Sequence, residues 1–536
     1  MIGKRIFLLC VVFILTGWIS AYGAVTSVTE NMPGSGLHGH PYNAVPVTEV
    51  YPGAPFYDLA ALGYVEREFI ISGTANTYNP KGIWGSNGRW QVSVANANMP
   101  YTTRIIVRYP TNPSKFNGTV VFEWLNEITY SSTSPDWADS SDFFFREGYA
   151  YVAVTAQNLN AGTTFLKWWD PVRYGNLSIS TDGLAYDIFT QAAQTVKTYS
   201  STVLGGLTPK KLLACGDSAS AIRLTTYVNA IHPFARIYDG FLIHGRASTE
   251  APIGNGIISL APNTQIRTDN TTPVIQFQAE GDLYELLFSY GRQPDNNYLR
   301  TWEIAGGAHI DLHEGIYEVT VAYRDLGSLS NEDYMKIPVC DFGVPSQFGG
   351  GVANSLPNYR LERAAWAALN KWVTTGTRPP SAPQIQTNPF FFNAIIYDQY
   401  GNAKGGLRLP EMDVPIKTYT SWNTSTEALT ILGDSLSNIN ATTMANDLWN
   451  IYQAITNPTW VVNSTTMAER ELGICILEGF DTPFSTATLK RLYSSPSDYV
   501  TKYTAAAKKL LNAGFLTQVD YDEAIAEAIA NSVLIP

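Results

Sequence analysis

Charge is scarce in this chain: Asp, Glu, Lys and Arg make up only 15% of its 536 residues. No basic cluster offsets a formal net charge of −11, which argues against nucleic acid or an anionic membrane surface as a partner. Long hydrophobic runs are nearly missing as well. The one candidate, Ile6 to Ile19, is shorter than the about 20 apolar residues that a membrane-spanning helix needs. Lys4 and Arg5 stand before it, and Ala21-Tyr22-Gly23-Ala24 after it. That is the pattern of a secretory signal peptide over residues 1–24, and it predicts a secreted or periplasmic protein with no membrane span once the leader is cut. Cysteine is rare. With Cys10 in the leader, Cys215, Cys340 and Cys475 allow at most one disulfide, and a Cys340–Cys475 bridge is open in an oxidising compartment. His38-Gly39-His40 is an isolated pair without spaced acidic or cysteine partners, so neither a metal nor a cofactor is expected. Internal repeats and low-complexity tracts are absent.

What is there begins with Leu212 to Cys215, an apolar run that meets Gly216-Asp217-Ser218-Ala219-Ser220 and then a helical pattern. This is the sequence form of a nucleophile elbow, in which a serine on a sharp strand-to-helix turn holds its hydroxyl out of the sheet. The usual G-x-S-x-G has a second glycine where this chain has Ser220. Read as plain structure, Asp217 and Ser218 would be helix N-caps.

The rest of the constellation follows in the order serine, acid, histidine. Pro273 to Gln278 reads as a buried strand ending in Ala279-Glu280-Gly281-Asp282, an acidic turn where a triad acid would sit. Leu299 to Ala305 reads as the last strand and runs through Gly306-Gly307-Ala308 into His309. In this reading Ser218 is the nucleophile, His309 its base and Asp282 the acid that orients the imidazole, with Glu280 as a rival acid in the same turn. A tetrahedral oxyanion needs backbone N–H donors. Ala219, after the nucleophile, would supply one, and Asn126 or Glu127, after the strand Gly118 to Leu125, the other. No HGGG-type sequence marks that loop. Trp124, His244 and Arg246 are candidates for lining a substrate pocket, although His244 could equally be a bonded loop residue and Arg246 a structural salt bridge. Asp311 and His313 crowd His309.

These stretches resemble the α/β-hydrolase superfamily, and more narrowly a family of large, mostly bacterial proteins known only as alpha/beta hydrolase domain-containing. The likeness rests on GYVEREFIISGTANTY at 63–78, TVVFEWLNE at 119–127, GDSAS at 216–220 and DGFLIHGRA at 239–247. It continues through RQPDN at 292–296, WEIAGGAHID at 302–311, GGLRLPEMDVP at 405–415, TPFSTATLKRLYSSPSDYV at 482–500 and NAGFL at 512–516. The resemblance implies the same roles for Ser218, Asp282 and His309. Residues 424–475 depart from it and read as an insertion or cap.

The expected fold class is therefore α/β: a mostly parallel sheet flanked by helices, with a β-rich N-terminal extension and a helical C-terminal region. A hydrolase domain over 25–417 and a helical region over 418–536 are the expected divisions, with helices at Leu361 to Val373, Pro496 to Ala513 and Asp520 to Ser532. The expected activity is cleavage of a carboxylic ester, on a small or polymeric substrate, by an acyl-enzyme route. A polyester depolymerase, a peptidase or amidase, and a catalytically silent scaffold are the alternatives.

Overall fold

The structure, a computed structural model, describes residues 23–31, 52–127, 132–158, 162–254, 263–326, 353–390, 393–422 and 477–536. Residues 1–22, Cys340, Cys475 and the stretch 424–475 lie outside the described residues.

Nine strands form one sheet in the order β1-β2-β3-β5-β4-β6-β7-β8-β9. They are β1 (Val25–Glu30), β2 (Tyr64–Pro80), β3 (Val92–Pro110), β4 (Thr119–Trp124), β5 (Ala150–Val154), β6 (Lys211–Asp217), β7 (Gly240–His244), β8 (Val274–Ala279) and β9 (Leu299–Ile304). The N-terminal three are antiparallel, and β3 pairs antiparallel with β5; every later pairing is parallel. Parallel strands are covered on both faces, which is why β4, β7, β8 and β9 are buried from end to end.

Side-chain alternation divides two cores. Val121, Leu213, Leu242 and Ile275 face one side, and Val120, Leu212, Phe241 and Val274 the other. The first side packs against Trp137 and Phe144 of helix α1 (Pro135–Glu147). The second packs against Phe189 and Ala192 of α2 (Ala185–Thr198) and Leu224 of α3 (Ala219–Thr226). Further along lie α4 (Glu280–Tyr284), α5 (Leu312–Leu326) and α6 (Asn358–Thr375), whose Trp366 and Leu369 join the first side. The expected acidic turn at 279–282 is thus the start of a short helix. β7 begins only at Gly240, because Arg236 takes a left-handed φ of 48° and Asp239 turns its carboxylate to the Leu212 N–H.

Past the core, β10 (Lys417–Thr420) pairs antiparallel with β11 (Phe480–Pro483), and α7 (Pro496–Ala513) packs on α8 (Gln518–Asn531) through Tyr499, Tyr503, Ala524 and Ala528. Arg363 of α6 ties this region down by bonding the buried Asp520 at 3.2 Å. Arg363→Ala leaves that carboxylate buried without its cation and is expected to cost about 3 kcal/mol, read from the midpoint of urea unfolding. Among the described residues no helix is long and apolar enough to cross a membrane.

Candidate active site

β6 ends at Asp217 and α3 begins at Ala219, so the chain reverses on one residue. Ser218 has φ 53° and ψ −118°, a region costly to a residue with a Cβ, and makes no capping hydrogen bond. The plain N-cap reading therefore does not describe it. Its N–H donates to the His244 carbonyl at 3.1 Å. Small neighbours are required: a Cβ on Gly216 would stand 3.0 Å from the Ser220 Cβ. Ser220, the departure from G-x-S-x-G, uses its hydroxyl to donate to the Leu125 carbonyl at 2.9 Å, joining the elbow to the loop after β4. Losing one neutral hydrogen bond is worth about 1 kcal/mol, so Ser220→Ala is expected to lower stability by about that much, read from the midpoint of urea unfolding.

Two strands away, Asp282 and His309 meet. His309 Nδ1 and Asp282 Oδ1 are 2.6 Å apart, and Asp282 Oδ2 accepts the Ala279 N–H at 2.7 Å, so the carboxylate is held at both ends. The turn that delivers His309 depends on Gly306, with φ 80° and only 2.5 Å between a would-be Cβ and the Met412 sulfur. Gly245 matters for the same reason. A Cβ there would lie 2.8 Å from His309 Cε1 and 2.7 Å from Asp217 Oδ1, so the imidazole closes against the residue that follows His244, beside the elbow. Ser218, Asp282 and His309 thus follow the C-terminal ends of β6, β8 and β9 along one edge of the sheet.

Electrostatics favour a charged imidazole. Burial by itself would lower the His309 pKa, but the charges of Asp282 and Asp217 and the hydrogen bond to Asp282 outweigh it and raise it. Asp217 is pushed up to about 6 by burial, against the pull of His244 and His309. Glu280 does not compete for His309. Its Oε2 accepts the Gly306 N–H at 2.6 Å and its Oε1 the Ser421 hydroxyl at 3.2 Å, bracing the glycine turn, and burial pushes it up to about 7.

The loop after β4 differs in detail from expectation. The Asn126 backbone N–H donates to the Thr133 carbonyl at 3.0 Å, so it is not the oxyanion donor; the Asn126 side-chain Nδ2 instead lies 3.5 Å from the Asp217 carbonyl. Glu127 is buried, and burial raises its pKa well above the usual carboxylate range. As the first residue of α3, Ala219 has an N–H with no carbonyl one turn back to take it.

None of the three predicted pocket residues has surface to offer a substrate. Trp124 is buried on the α2 side of the sheet, bonding Gln157 and packing on Phe189. Arg246 is buried on Gln276 and the Ala247 and Gly291 carbonyls. His244 is buried beneath the elbow. Asp311 accepts the N–H groups of Glu314 and Asn358, and His313 stacks on Tyr359, so both have structural partners. Sequence reasoning missed the parts played by Ser220 and Gly245; the serine out of pattern was the available signal for the first.

A mostly parallel sheet, with a sharply turned serine after one strand and an Asp–His pair after two later ones, defines a hydrolase of the α/β class. The chain belongs to the alpha/beta hydrolase domain family, whose model matches residues 28–526. No curated protein matches it in sequence. Solved structures similar to it include a CE15 glucuronoyl esterase from Teredinibacter turnerae, at 11% identity over 51% of this chain and 76% of that one, TM-score 0.25. Fungal esterases from Rhizomucor miehei give 12% over 48% and 82%, TM-score 0.26, and Thermogutta terrifontis esterase 2 gives 13% over 37% and 78%, TM-score 0.23. These likenesses carry no information on substrate.

Proposed function

We propose that this protein is an exported serine hydrolase that cleaves a carboxylic ester through an acyl-enzyme intermediate. The observation that carries the reading is the 2.6 Å Asp282–His309 hydrogen bond, with the imidazole beside the strained Ser218 turn. With Asp282 on Nδ1, the other ring nitrogen of His309 is the base. It takes the Ser218 proton as Oγ attacks the ester carbonyl carbon, and returns it to the departing alcohol. The Ala219 N–H is the donor assigned to the oxyanion. Water, activated by the same imidazole, then releases the acid and restores Ser218. Export rests on the leader-like residues 1–24.

A fluorophosphonate probe is the direct test. The wild-type protein is expected to label stoichiometrically and the folded Ser218→Ala variant not at all. Folded wild type that stays unlabelled would overturn the reading.

A further inference from the structure

Beneath the elbow, on the side of the sheet covered by α1 and α6, three elements turn ionisable groups toward one point. Asp136 comes from the first turn of α1, His244 from the end of β7 and Glu362 from α6, and they are 0%, 3% and 0% exposed. His244 Nδ1 lies 3.5 Å from Asp136 Oδ1 and 3.9 Å from Glu362 Oε2. None of these three atoms has a hydrogen-bond partner among the described residues. One donor atom from each of the three residues can be chosen so that all lie within 4.8 Å of one another.

Those separations leave room for a cation larger than a proton. A proton on Nδ1 would draw one carboxylate to within about 3.2 Å and leave the other unanswered. Ligand bonds of about 2.0–2.2 Å at tetrahedral angles hold donor atoms about 3.4 Å apart; His244 Nδ1 stands 3.5 and 3.9 Å from the two carboxylate oxygens. The surroundings are built to match. Glu362 Oε1 accepts the Ser140 hydroxyl at 2.9 Å and the Trp366 N–H at 2.8 Å, which aims Oε2 inward, as an outer shell orients a metal ligand. Asp217 Oδ1, also without a hydrogen bond, stands 3.8 Å from the same His244 nitrogen. Among the described residues no Lys or Arg pairs with Asp136, Asp217 or Glu362. Asp136 and Glu362 therefore share one imidazole, which Asp217 also faces, and uncompensated buried charge costs several kcal/mol per ion.

We propose that His244, Asp136 and Glu362 bind a divalent transition-metal ion, Zn2+ by donor set. An imidazole donor argues against Ca2+ and Mg2+, which take oxygen ligands, and favours zinc. All three residues are buried beneath the elbow, so the ion is structural. It locks α1, β7 and α6 together under Ser218. Sequence spacing predicted no metal because positions 136, 244 and 362 form no linear motif; only the fold gathers them.

The test uses the full chain, purified without a metal-affinity step, and none of its readouts involves hydrolysis. Elemental analysis is expected to find about one Zn2+ per chain. A chelator should lower the melting temperature and added Zn2+ restore it. Glu362→Gln, which keeps shape but removes a charged ligand, should lose the metal. Ligand variants can fail to fold, so Co2+ titration of chelator-treated wild type gives the deciding spectrum. Visible bands of tetrahedral Co2+, abolished by competing Zn2+, are expected. A folded wild type that is purified metal-free, takes up neither Zn2+ nor Co2+ and melts at an unchanged temperature would overturn the site.

Discussion

Ser218→Gly is expected to abolish turnover and yet make the protein harder to unfold. The serine holds φ 53° and ψ −118°, where a side chain costs on the order of 1–3 kcal/mol. Glycine adopts that backbone without a clash, although its greater freedom when unfolded returns about 0.5–1 kcal/mol of the gain. A net stabilisation of about 1 kcal/mol should appear as a later midpoint in denaturant titration. Turnover of an activated ester should fall on the order of 10^6-fold, as for loss of a triad nucleophile. A variant less stable than wild type would show that the turn carries no strain.

Asp282→Asn should lower kcat on the order of 10^4-fold with the fold intact, because an amide can hold His309 in the wrong tautomer. The pH profile gives the sign. A histidine base works only when neutral, and the His309 pKa is raised, burial being outweighed by Asp282 and Asp217. The acidic limb of kcat/KM is therefore expected above the ordinary histidine value of about 6.5, and in Asp282→Asn it should move down. Stability carries the same linkage. A raised histidine pKa adds stability that is complete below the unfolded value of about 6.5 and is lost as pH climbs through the folded value. Unfolding measured across pH should show that slope in wild type and a flatter one in the variant.

Much of the frame was legible because strands and amphipathic helices announce themselves locally. Thr119–Trp124 and Pro496–Ala513 fall where alternation and helical spacing put them, and Ser218 and His309 each follow a strand that hydrophobic runs reveal. Choices between near neighbours were not legible. Glu280 and Asp282 are two residues apart in one acidic segment, and only the helical turn sends one to Gly306 and the other to His309. The Asn126 N–H was spent on Thr133, a bridge no local pattern encodes. Trp124 looked available to substrate because alternation does not say which side of the sheet a helix will cover. The carboxylates around His244 were invisible for the same reason: they are far apart in sequence and meet only through packing of α1 and α6 on β7.

The hairpin-like pairing of β10 with β11 has a consequence for how this chain can vary. Thr420 sits directly opposite Phe480, so everything between them departs from and returns to bonded neighbours. Chain length inserted at such a point enters as loop-closure entropy alone, about 0.6 kcal/mol for each doubling, while the register of the flanking strands stays as it is.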